Sequence, residues 1–179
     1  MTPRPMITRP SDQPEPLAIL LLPAALEQFE LADHARELLT IPRVIALEPS
    51  RHRTPRLLRD AAPLRQARRL RFPGRPTVLV VYHPEQYRLA RALLTRYQGA
   101  ELWYVRRDLD QLGPLPSSRA EELRELDELA SERATPERML SPELDSVVAG
   151  SRLRLHLQAL GIISPHPFVP GGRAGRLSR

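Results

Sequence analysis

Cysteine and lysine are both absent from the 179 residues, and aromatic side chains make up only 4% of them. Without cysteine the chain has no disulfide staple, no thiolate nucleophile and no cysteine-ligated zinc, a composition that suits a reducing compartment. Without lysine it has no phosphate-loop lysine, no Schiff-base nucleophile and no lysine general base. Glycine is scarce too: there are eight, and none forms GxGxxG at a strand-to-helix turn, which argues against a dinucleotide site of that kind. No HxxxH or HxH pair occurs among His34, His52, His83, His156 and His166, so histidine clustering does not point to a metal. The apolar run Leu17 to Leu22 is short and follows Asp12 and Glu15 rather than basic residues. It is neither a signal peptide nor a membrane span, and the chain reads as cytoplasmic.

Arginine is abundant, supplying all 27 basic side chains against 21 acids, for a net charge of +6. The charges are segregated. Residues 1–50 hold four arginines against seven acids, 51–107 fourteen against three, 108–145 four against eleven, and 146–179 five against none. Blocks of opposite sign that fold against each other are a weaker sign of a polyanion partner than one uncompensated basic face. An arginine-only chain rich in Leu, Ala and Pro also reads as the product of a GC-rich genome. The arginines of 51–75 alternate with Leu and Pro and lack the interleaved aromatics that stack bases, so nucleic acid is a disfavoured partner.

Length and proline placement suggest one domain with loose ends. Pro3, Pro5, Pro10, Pro14 and Pro16 make residues 1–16 a disordered or extended leader. Residues 171–179, rich in Gly and Arg, form a mobile basic tail. Between them, 17–170 alternate short apolar runs with longer amphipathic ones, the α/β pattern. Strands are expected at Ala18 to Leu22, Val44 to Leu47, Thr77 to Tyr82, Glu101 to Val105 and Leu144 to Ala149, with a last short one through Phe168 and Val169. Helices are expected over 24–39, from about Leu64 to 71, from Pro84 to Tyr97, from a Ser118-Arg119-Ala120-Glu121 capping box to Ala134, and from Ser151 to Leu160, where Gly161 ends the helix. Strands and helices in that order give a doubly wound, mostly parallel, Rossmann-like sheet.

Ligands of such sheets bind outside the carboxyl ends of the strands. Tyr82-His83-Pro84 follows the strongest strand, where His83 is a candidate proton acceptor, or a contact with Tyr82 for a hydroxyl or phosphate. A histidine that simply caps its own loop is the plainer alternative. Arg106-Arg107-Asp108-Leu109-Asp110 follows the Trp-bearing strand. Arg106 and Arg107 are candidate ligand contacts, and Asp108 with Asp110 forms a DxD pair able to hold a divalent cation that bridges nucleotide phosphates. Gly150-Ser151 opens a helix, where a small residue and a hydroxyl can cradle an anion or serve as a plain N-cap.

The stretch Leu144-Asp-Ser-Val-Val-Ala-Gly-Ser151, the helix that follows to Leu160-Gly161, and Phe168-Val-Pro-Gly171 together resemble the end of the N-terminal domain of GT-B glycosyltransferases of the family 4 type. Thr77 to Pro84 is similar to the strand and loop of that domain that face the acceptor cleft. The resemblance covers 77–171. Gly150 and Gly172 depart from its usual residues, and Leu22-Pro23-Ala24 stands in place of its opening glycine-rich loop. It implies an acceptor-side half-domain without the donor-binding domain, inactive alone or working with a protein partner that supplies that domain, with a sugar or nucleotide-sugar ligand. No cofactor is expected. The alternatives are a basic anion- or nucleic-acid-binding α/β protein and a DxD metal-dependent nucleotide-sugar transferase.

Overall fold

A computed structural model describes residues 14–23, 32–47, 61–106, 115–140 and 152–164. The elements are β1 (Pro16–Leu21), α1 (Ala32–Leu39), β2 (Val44–Leu47), α2 (Ala61–Arg69), β3 (Arg75–Val81), α3 (Tyr87–Arg96), β4 (Glu101–Val105), α4 (Ser117–Arg133) and β5 (Met139–Leu140). Short 3-10 turns at Pro84–Gln86 and Pro136–Arg138 lead into α3 and β5. A last helix, α5, covers 152–159.

The five strands lie in the order β2-β1-β3-β4-β5, and every neighbouring pair is parallel. Successive residues of a strand face opposite sides, and in β1, β3 and β4 both sides are apolar because both are covered. One side sets Ala18, Leu20, Val78, Val80, Trp103 and Val105 against Ala35 and Leu38 of α1 and Leu153 and Leu157 of α5. The other sets the alternate positions, Leu17, Ile19, Leu21, Leu79, Val81 and Tyr104, against Ala67 of α2, Leu93 of α3 and Ala130 of α4. This two-sided burial is why Thr77 to Tyr82 shows no polar alternation. The protein is a doubly wound parallel α/β sheet, with the 2-1-3-4-5 order of flavodoxin-type sheets. No helix among the described residues is long and apolar enough to cross a membrane.

Several boundaries differ from expectation for identifiable reasons. Pro16, placed in the leader by its ring, opens β1 instead, because the first residue of a strand tolerates a missing N–H. β3 begins at Arg75 and runs through Pro76, which pairs with Leu17; the register then shifts so that Ala18 meets Val78. Pro76 offers no ladder donor, and the Thr77 hydroxyl donates to the Leu17 carbonyl at 3.2 Å. The Ser118 capping box does not form: the N-cap of α4 is Pro116, two residues earlier, and it makes no side-chain cap. Pro116 has φ −55° and ψ 139°, and its carbonyl accepts from the N–H groups of Arg119 and Ala120. The strand expected at Leu144 to Ala149, the first turns of the helix expected from Ala24, the leader through residue 13 and the segment from 165 onward lie outside the described residues. The fifth strand that is described pairs Met139 and Leu140 with Tyr104 and Val105.

Gly161 ends α5 as expected, at φ +71°, a left-handed conformation that glycine adopts without strain. The Ile162 N–H turns back to the Leu157 carbonyl at 2.9 Å. At the amino edge of the sheet, α5 is tied to β4: His156 Nε2 lies 2.6 Å from Glu101 Oε2, and the rings of His156 and Trp103 are 5.3 Å apart. Arg138 takes the other Glu101 oxygen at 2.9 Å. Arginines serve as structural clamps elsewhere. Arg96 donates to the carbonyls of Ala67 and Leu70 at the end of α2, with its guanidinium over the Tyr97 ring, and Arg71 donates to those of Arg68 and Leu70.

Candidate functional site

A doubly wound sheet opens a crevice where the strand order reverses. Here that point lies between the carboxyl ends of β1 and β3, because the chain leaves β1 for β2 on one side and crosses back to β3 on the other. The ladder runs to its end: the Tyr82 N–H donates to the Leu21 carbonyl at 3.2 Å, and the Leu22 N–H to the Leu47 carbonyl at 3.0 Å. The Leu22 carbonyl is then taken by the side chain of Gln86, whose Nε2 donates to it at 3.0 Å. Gln86 is buried, so this bond spans the crevice floor and ties the ends of β1 and β3 together out of water.

His83 sits on the turn between those two contacts. Its backbone is extended, with φ −148° and ψ 138°, and its Nδ1 accepts the Glu85 N–H at 3.2 Å. Its carbonyl accepts the Gln86 N–H at 2.9 Å. A neutral imidazole whose Nδ1 accepts carries its proton on Nε2. The ring therefore caps its own turn and, in this tautomer, has a donor rather than a base at Nε2.

The turn is held from the α4 side by a chain of charges. Arg119 joins Glu85 at 2.6 Å and Glu122 at 2.7 Å, and Glu122 joins Arg88 at 2.6 Å. Partial burial works against a charged Glu122. The hydrogen bonds and charges of Arg119 and Arg88 outweigh it and hold the carboxyl down at about 2. Burial likewise opposes the charge on Arg119, and the hydrogen bonds and charges of Glu122 and Glu85 outweigh it and raise the guanidinium.

Tyr82 is buried in the same apolar layer as Trp103 and Val80. Among the described residues its hydroxyl has no hydrogen-bond partner, and burial pushes it above the ordinary tyrosine range. Arg106 follows β4 with an exposed side chain, and its Nε lies 3.5 Å from Asp127 Oδ2. Asp127 on α4 is itself buried and accepts the Tyr104 hydroxyl at 2.5 Å. Burial first, then the hydrogen bond to Asp127, raises the Tyr104 hydroxyl above its ordinary range. Arg107, Asp108, Asp110, Gly150 and Ser151 lie outside the described residues. Among the described residues no three His, Asp or Glu side chains come together as metal ligands.

Gln86, Arg119, Glu122 and Asp127 were not among the candidates drawn from sequence. Two of them carried a signal. Gln86 continues the inward stripe of Ala90 and Leu93 by one turn, and Asp127 lies between Leu123 and Ala130 on the buried side of α4. A polar side chain on an apolar stripe marks a buried hydrogen bond.

Fold and edge geometry define the class: a parallel, doubly wound α/β domain with a braced turn at the reversal of its strand order. Comparison with known proteins returns no matching family, curated relative or solved structure.

Proposed function

We propose that this chain is the acceptor-side half of a GT-B-type glycosyltransferase, receiving a hydroxylated acceptor at the carboxyl ends of β1 and β3. The observation that carries the reading is the bracing of the His83 turn at the strand-order reversal, by Gln86 from within and by Glu85, Arg119 and Glu122 from α4. A turn fixed on several sides presents its backbone and ring in one geometry, which is what orienting a hydroxyl requires. The sequence likeness over 77–171 points to the same edge. In this reading His83 positions the acceptor and Arg106, leaning on Asp127, supplies positive charge nearby. The described sheet then contributes the acceptor side, and the nucleotide-sugar donor is bound by a different domain.

The test is saturation-transfer NMR with glucose, mannose, glucose 1-phosphate and UDP-glucose, the last with and without manganese. Transfer to a sugar or sugar phosphate, lost in His83→Ala, is the expected result. No transfer to any of the four, or transfer only to UDP-glucose with manganese, overturns the acceptor reading; the second outcome would favour the Asp108 and Asp110 pair.

A further inference from the structure

The opposed charge blocks of the sequence do not fully cancel within the fold. α2, α3 and α4 lie side by side on one face of the sheet, α2 against α3 and α3 against α4. On α2, Arg65, Arg68 and Arg69 are exposed, one helical turn apart, and make no ion pair among the described residues. On α4, Glu121, Glu125 and Glu128 are likewise exposed along one stripe, and they too make no ion pair among the described residues. The ion pairs that reach α4 from α3 and the turn before it, Arg88 with Glu122 and Glu85 with Arg119, involve other residues. This face therefore carries a positive stripe on α2 and a net negative one on α4, where Arg124 is exposed beside the three glutamates, with α3 and its exposed Arg91 between them. Leu64, half exposed at 51%, lies on the α2 stripe one turn before Arg68.

We propose that this face pairs with a second copy of the chain about a two-fold axis running along α3. Such an axis lays α2 of one copy over α4 of the other, and by symmetry the reverse, so both stripes are neutralised at once. A flat polyanion fits less well, because the surface that brings it to α2 also brings it to the glutamates of α4. This pairing is independent of the glycosyltransferase reading.

Sedimentation of the whole chain tests it. The wild type dimerises at about 0.02 M salt and weakens by about tenfold or more toward about 0.5 M, as exposed charge pairs are screened. Two charge-reversal variants, R65E/R68E/R69E and E121R/E125R/E128R, are each monomeric, since each carries one sign on both stripes. Mixed together they form a heterodimer, because each reversed stripe meets its complement. A wild type that stays monomeric at low salt overturns the proposal without any variant. So does a mixture that fails to associate while both variants keep the wild-type circular dichroism. Salt-sensitive binding of the wild type to heparin or to phosphatidylglycerol vesicles, with no heterodimer in the mixture, assigns the arginines to a polyanion and overturns it too.

Discussion

Gln86 donates its side-chain amide to the Leu22 carbonyl across the point where the strand order reverses, at 3.0 Å and buried. Gln86→Leu keeps the volume and removes the donor, leaving that carbonyl unpaired away from water. The expected loss is about 1–3 kcal/mol in urea unfolding. A loss below a few tenths of a kcal/mol would show that water reaches Leu22.

Tyr104 and Asp127 form the buried bond between β4 and α4. Tyr104→Phe and Asp127→Ala should each destabilise by about 1–2 kcal/mol, and the double variant by less than their sum, since both remove one interaction. A double-mutant cycle with strict additivity would dissolve the pairing. In Tyr104 the folded hydroxyl holds its proton beyond the ordinary range, so its contribution is present at neutral pH and falls as pH rises past about 10. Ultraviolet absorbance of the phenolate should show Tyr104 ionising together with the loss of circular dichroism, a step missing from Tyr104→Phe.

Glu122, held down at about 2 from an ordinary 4.5, gives the opposite pH dependence. Between those values the unfolded chain binds the proton and the folded chain does not, so stability rises with pH. The contribution is complete above about 4.5 and disappears as pH falls through about 2. Glu122→Gln should flatten the stability profile in that window and cost about 1–2 kcal/mol at about pH 7, where Arg88 and Arg119 lose their shared partner. An unchanged acid limb in the variant would rule out this source.

The Tyr82 hydroxyl makes no hydrogen bond among the described residues while fully buried. Removing it in Tyr82→Phe discards an unsatisfied polar group at almost constant volume, and thermal unfolding should show equal or greater stability, by up to about 1 kcal/mol. A clear loss would mean that the hydroxyl has an acceptor, such as a buried water.

Where local composition settles a segment, sequence and structure agree: β2 at Val44–Leu47 and β4 at Glu101–Val105 fall where expected, and Gly99 and Gly161 end their helices at positive φ. Agreement fails where a distant group decides. Pro76 can enter β3 because β4 pairs with that strand only from Val78 onward, leaving Pro76 with a neighbour on one side, a register that local composition does not carry. The braced turn was legible only in part. His83 stands out beside a strong strand, but the role of Gln86 depends on a carbonyl 64 residues earlier, and Arg119 and Glu122 look like ordinary members of a solvated helix until α4 is set beside α3. Asp127 stands out by its place between Leu123 and Ala130, but its partner Tyr104 is on another element, β4.

Because all five strands are parallel, the helices that connect them return in the opposite direction and begin at the same edge on which the strands finish. The helix dipoles then share one direction, favouring positive potential at the His83 end and negative potential at the Glu101 end. Glu101 sits at the unfavourable pole, and Arg138 and His156 meet it there. The molecule thus has an electrical axis built from backbone alone, one that a tally of arginines and glutamates does not register and that would persist if every surface charge were removed.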